Sequence, residues 1–171
     1  MNKTKKRLLA LRLILGILII ANLVMIFHFS AQNGSSSDQT SGRVAKAVAG
    51  IIIKDYEEKS EAEQEEILNT LHPIIRKLAH MTEFGSLGAL IFLLLLTWKN
   101  ILILQYADAL LLVLTAAAID EYSQTLSVGR AAQLLDVGID LLGAVICCSA
   151  ILLFTVLVRR NRKTPLERKS L

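Results

Sequence analysis

The residues with chemical capacity fall in two stretches. The first runs from Asp120 to Asp140 and reads DEYSQTLSVGRAAQLLDVGID. It holds Asp120, Glu121, Gln124, Arg130, Asp136 and Asp140, yet it lies between two long apolar runs. A connection between membrane spans needs only a few turn residues, whereas this one sets polar groups at helical spacing. Asp120 with Gln124, and Asp136 with Asp140, are each four apart and share a helix face. Asp140 is followed directly by apolar residues to Val158, which puts a carboxylate at or inside a membrane boundary. Ionisable groups there are costly and point to a functional site. The second stretch carries Arg76, His80 and Glu83, spaced i, i+4, i+7 along one helical stripe.

These residue types allow three chemistries. His80 beside Glu83 suits proton transfer. Arg76 and Arg130 suit an anionic group. The oxygens of Glu83, Asp120, Glu121 and Asp136 suit Mg²⁺ or Ca²⁺, and His80 would extend the set to Mn²⁺ or Zn²⁺. No motif selects among them, so no metal is assigned, the cofactor is unknown, and catalysis and binding stay equally open. The candidate catalytic residues are His80, Glu83, Asp120 and Glu121. The candidate ligand-binding residues are Ser30, Gln32, Arg76, Gln124, Arg130, Asp136 and Asp140.

The elements that must position these groups are membrane spans. The chain has 171 residues, 53% hydrophobic and 20% charged, with a mean hydropathy of +0.51. That is too apolar for a soluble domain of this length. Spans are expected at about 8–29, 74–98, 101–119 and 136–158, giving an all-α, four-helix membrane bundle in a single domain over 1–171. The first is read as an uncleaved span, because its apolar run is longer than that of a signal peptide and lacks a small-x-small cleavage site. Arg12 is expected to reach toward the basic end.

Between the first two spans lies a loop over 30–73. Val44, Val48, Ile51 and Ile52 make an amphipathic piece suited to a membrane surface. Ser60 and Glu63 form a capping box at the start of an acidic helix running toward Leu71. Pro73 fits the first position of a new helix. Asp108 stands alone inside the third span, with Arg12 or Asn22 as the expected partner. His28 and His72 read as interfacial residues. Cys147 and Cys148 are adjacent, point in different directions and read as packing residues.

The formal net charge of +4 arises from basic ends around an acidic middle. It bears on orientation rather than on nucleic acid. Lys3, Lys5, Lys6 and Arg7 at one end, and the tail over 159–171 at the other, place both termini in the cytoplasm. With four spans, Ser30 and Gln32, then Arg76, His80 and Glu83, then Asp120, Glu121 and Gln124, then Arg130, Asp136 and Asp140 all fall at the outer face. Glu83 lies about 8 Å below Leu78, where the apolar run begins, so its carboxylate needs a partner or a wet cavity.

At these residues the sequence resembles the VanZ-like family of bacterial membrane proteins, named for a protein linked to teicoplanin resistance. The matching pieces are FSAQ at Phe29–Gln32, RKLAHMTEFGSLG at Arg76–Gly88 and DEYSQTLSVGRAAQLLDVGIDLLGA at Asp120–Ala144. The family pattern falls on Ser30, Gln32, Arg76, Lys77, His80, Glu83, Asp120, Glu121, Gln124, Arg130, Asp136 and Gly143. The family commonly has Asn where this chain has Asp140, which adds a negative charge. The resemblance implies a multi-pass protein of the bacterial plasma membrane and cell envelope, with a tie to glycopeptide tolerance.

Three functions are consistent with the residues. One is an outward-facing polar pocket that binds or modifies an amphipathic envelope molecule, such as an envelope lipid or a glycopeptide-related ligand. Another is a small proton-coupled transporter that uses Asp108 below the outer cluster. The third is a non-catalytic partner of an envelope assembly, docking through the acidic loop. The lipid bilayer is the expected surrounding in each case, nucleic acid is not expected, and the oligomeric state is undetermined.

Overall fold

The computed structural model describes residues 2–30, 34–125 and 134–162. Every regular element among them is helical: α1 at Lys3–Ser30, α2 at Gly34–Ile52, a 3-10 turn at Tyr56–Glu58, α3 at Glu61–Leu95, α4 at Leu102–Thr125 and α5 at Leu134–Arg162. Helices α1, α3, α4 and α5 are long and apolar enough to cross a membrane. Only helices and closed barrels satisfy every backbone polar group in hydrocarbon, so these runs take the helical solution.

α3 is the hub and packs against α1, α2, α4 and α5. Its inward residues Phe84, Leu87 and Phe92 are fully buried and meet Ile26, Val113, Ala144 and Cys148. The closest crossing is with α5, and small residues permit it. A Cβ added at Gly85 would stand 3.1 Å from the Gly143 carbonyl oxygen, and one at Gly88 would stand 3.0 Å from Ala144 Cβ. A Cβ at Gly143 would overlap the Met81 carbonyl. Backbones this close gain van der Waals contact that larger side chains would prevent.

α3 differs from expectation at its start. It does not begin at Pro73 but at Glu61, and it runs unbroken through Pro73. Ser60 accepts from the Glu63 backbone N–H while the Glu63 carboxylate accepts from the Ser60 N–H at 3.0 Å, so both halves of the capping box are present. Pro73 sits on the exposed side. There its missing N–H forfeits one intrahelical bond whose carbonyl partner can turn to solvent. At 35 residues α3 is about 52 Å long, well over the roughly 30 Å hydrocarbon core. Its acidic first third therefore extends beyond the apolar part.

In α2, Ala45 and Ala49 are fully buried, while Val44, Ile51 and Ile52 of the amphipathic stripe are exposed on the protein. Ala at i, i+4 offers the flat surface that lets α2 lie close on α3. The connection between them is tied down by Gln64, whose side-chain amide donates to the Tyr56 and Lys59 carbonyls at 3.1 Å each.

The opposite end of α3 is closed by two long polar side chains. Gln105 donates to the Leu95 carbonyl at 2.6 Å and the Trp98 carbonyl at 3.1 Å, which fixes the turn into α4. Arg12 donates to Thr97 Oγ1 at 2.9 Å and to the Thr97 carbonyl at 3.0 Å. Its guanidinium also lies 4.1 Å from the centroid of the Trp98 ring. Arg12 thus binds a helix end where carbonyls are unsatisfied and negative charge accumulates. Asn22 is likewise engaged elsewhere, donating to Ser86 Oγ at 2.8 Å. Neither residue partners Asp108, which lies on the exposed outer face of α4.

Candidate functional site

α1 ends, α4 ends and α5 begins at the same end of the bundle, and α3 brings Glu83 to it. Ser30 is the last residue of α1. Its hydroxyl donates to Asp120 Oδ2 at 2.8 Å. Gln124, one turn after Asp120, donates through Nε2 to the same Oδ2 at 2.8 Å and to Ser30 Oγ at 2.6 Å. Ser30, Asp120 and Gln124 form a closed ring of hydrogen bonds, and all three are buried, Asp120 almost completely at 1% exposed. The helical spacing of Asp120 and Gln124 makes this possible, since both side chains leave α4 on one face.

The ring satisfies one carboxylate oxygen and leaves the other. Asp120 Oδ1 and Asp136 Oδ1 are buried, and among the described residues neither has a hydrogen-bond partner. A buried carboxylate oxygen without a donor is costly and calls for an explanation beyond packing. Around Asp120 stand further acids. Glu83 is within electrostatic reach of Asp120. Asp140, itself buried, is within reach of Asp120, Asp136, Glu121 and Glu83. The α3–α5 crossing sets this register: Glu83 precedes Gly85 by two residues, and Asp140 precedes Gly143 by three.

Arg76 and His80 continue the Glu83 stripe along α3 and are half-buried, while Lys77 is exposed. His80 and Glu121 each have interactions within the protein. Among the described residues, no three His, Cys, Asp or Glu side chains converge in a way that would hold a metal ion. The acids therefore form a spread cluster rather than a compact ligand set. Such a cluster suits a bound cationic or hydrogen-bond-donating group, which would supply what Asp120 Oδ1 lacks.

The structure thus joins Ser30, Asp120 and Gln124 directly and gathers Glu83, Glu121, Asp136 and Asp140 around them. Gln32 and Arg130 lie outside the described residues. Asp108 lies on the outer surface of α4, away from the cluster. Sequence reasoning missed one contributor. Ser86 accepts from Asn22 and donates to the Glu83 carbonyl at 2.8 Å, which moors α1 to α3 one turn from the Glu83 side chain. The available signal was the i, i+3 spacing of Glu83 and Ser86, together with Asn22 as the polar break in the first apolar run.

A family model described as VanZ/LLP1 matches residues 15–157. No curated protein and no solved structure matches the chain. The matched region takes in the polar cluster and most of each long apolar helix. With the helical architecture, it makes this chain a multi-pass membrane protein of the VanZ/LLP1 family.

Proposed function

We propose that this is a cell-envelope protein of the bacterial plasma membrane whose polar cluster faces outward and binds or modifies an amphipathic envelope molecule, contributing to tolerance of glycopeptides such as teicoplanin. The chain is read as one VanZ-like domain with both termini cytoplasmic, on the strength of its basic ends. The observation that carries the reading is Asp120: almost fully buried, held by Ser30 and Gln124 on one oxygen, with its second oxygen left without a partner among the described residues and further acids around it. Polar chemistry held rigidly on helices, at the level where lipid headgroups meet tails, fits a ligand with a polar head and an apolar body. The tails would lie along the bundle while the head engages Glu83, Asp120 and Asp140. Arg76 and His80 stand on the approach along α3 and suit an anionic portion of the same molecule.

The test is expression in a teicoplanin-sensitive Gram-positive host. The wild-type chain should raise the inhibitory concentration of teicoplanin. Asp120→Asn, matched for membrane accumulation, should not. In parallel, purified wild-type protein incubated with extracted envelope lipids should retain a lipid species in native mass spectrometry that Asp120→Asn loses. Unchanged tolerance and unchanged lipid retention in Asp120→Asn would overturn the assignment.

A further inference from the structure

Asp140 stands among carboxyl groups from three helices. Glu83 of α3, Asp120 and Glu121 of α4, and Asp136 of its own helix α5 all lie within its electrostatic reach. Among the described residues, every charged group acting on Asp140 or on Glu83 is another acid. Like charges held this close raise one another's energy, and a bound cation relieves all of them at once.

The acids alone do not define a ligand. A second observation does. Asp120 Oδ1 and Asp136 Oδ1 are closed off from solvent, and neither has a donor among the described residues. Asp120 is 1% exposed, and its Oδ2 is already taken by Ser30 and Gln124, so Oδ1 is the oxygen left over among the acids. Asp136 belongs to the next helix, on the same face of α5 as Asp140. The missing group must therefore carry positive charge, donate hydrogen bonds and serve more than one helix.

Resting on the reading of this cluster as a ligand site, we propose that the group it takes is a primary ammonium, carried by an amine-bearing lipid headgroup or by a free amine. The chemistry of the oxygens selects it over other cations. A hard metal ion needs several oxygens drawn close around it. Among the described residues no such set converges. A guanidinium is a planar fork suited to both oxygens of one carboxylate. Asp120 offers only Oδ1, because Oδ2 is occupied. A quaternary ammonium has no N–H and would leave Oδ1 without a donor. A primary ammonium is compact, carries three donors and can turn them to oxygens on separate helices.

The experiment is calorimetric titration of the purified full chain in a non-ionic detergent near neutral pH. Dihexanoyl phosphatidylethanolamine should bind saturably. Dihexanoyl phosphatidylcholine, with the same phosphate and tails but no N–H, should not. Ethanolamine alone separates the sources: its binding assigns the site to the amine itself, and its failure beside bound phosphatidylethanolamine assigns the site to a lipid headgroup. Asp120→Asn keeps one oxygen for Ser30 and Gln124 and turns the other into a donor, so affinity should fall by about tenfold or more. Asp136→Asn removes a charge without touching the ring and should weaken binding similarly; it decides the matter if Asp120→Asn does not fold. Equal binding of the two lipids, binding of neither phosphatidylethanolamine nor ethanolamine, or unchanged affinity in Asp136→Asn would overturn the proposal. A lipid without an amine that the wild type retains and Asp120→Asn loses would overturn the ammonium while leaving the ligand site standing.

Discussion

Ser30 and Asp120 lie 90 positions apart in the chain, and the Ser30 hydroxyl donates to Asp120 Oδ2 at 2.8 Å. The bond closes the ends of α1 and α4 around one buried carboxylate. Removing the donor leaves Gln124 as the other donor seen on Asp120 Oδ2. Hydrogen bonds to charged groups contribute about 1.5–3 kcal/mol. Ser30→Ala should therefore lower thermal stability in detergent by about that amount while accumulation persists. Ser30→Thr keeps the hydroxyl and should restore most of the loss. Equal stability of Ser30→Ala and wild type would show that the bond contributes little.

Asp140 offers a test of charge against shape. It is buried among Asp120, Asp136, Glu121 and Glu83. Asn has the same shape, keeps the hydrogen-bonding capacity and removes the charge. If the proposed function holds, Asp140→Asn should retain the teicoplanin phenotype, and it should gain stability of order 1 kcal/mol because Asn carries no charge to bury and none to repel its acidic neighbours. Asp140→Leu, similar in volume but without hydrogen bonds, should lose the phenotype. Loss with Asp140→Asn would mean that this chain depends on the extra charge.

The α3–α5 crossing predicts opposite outcomes for two glycines in α5. A Cβ at Gly143 collides with the backbone carbonyl of Met81, which cannot swing aside as a side chain can. Gly143→Ala should destabilise by about 1–3 kcal/mol, the usual range for overpacking. A Cβ at Gly138 meets nothing within 4 Å. Gly138→Ala should be neutral or stabilising by up to about 1 kcal/mol through helix propensity. Thermal melts of the two purified variants check the pair together.

The start of α3 should be separable from the cluster. Glu61, Glu63 and Glu65 are exposed. Changing all three to Gln should leave accumulation and phenotype unchanged, since Gln at position 63 still completes a capping box. Ser60→Ala removes the cap and should loosen the first turn by about 1 kcal/mol, seen as faster amide exchange over 61–64. Loss of phenotype in the Gln variant at normal accumulation would favour docking of an envelope partner through this acidic surface.

Topology can be checked with exposed positions at the two ends. In a background lacking Cys147 and Cys148, Glu58→Cys should react with an impermeant thiol reagent in intact cells. Asn100→Cys should react only after lysis. Both residues are exposed in the structure, so the membrane alone decides the outcome. The reverse pattern would turn the polar cluster inward and remove the outer-leaflet reading.

The sequence by itself determined the helical, membrane-spanning architecture, because long uncharged apolar runs have few other stable forms in lipid. It also marked Ser30, Glu83, Asp120, Gln124 and Asp140 as exceptions, since polar groups stand out in such runs. The capping box at Ser60 and Glu63 was legible because it is local, with both partners within three residues. Only the tertiary structure decided which exceptions meet. Ser30 found Asp120 and Gln124, whereas Arg12 and Asn22 turned from Asp108 to Thr97 and Ser86. Spacing along one helix says which residues share a face, but not which face turns toward another helix. That rotation is set by the contact of Gly85, Gly88, Gly143 and Ala144, where two backbones can come close. The same contact carried Glu83 and Asp140 within electrostatic reach of each other, while the packing of α4 through Ala109, Val113 and Ala117 left Asp108 outside. Pro73 was misjudged for a related reason. A proline ends a helix when nothing else holds it, but the cap at Ser60 and the packing along α3 hold this one on both sides.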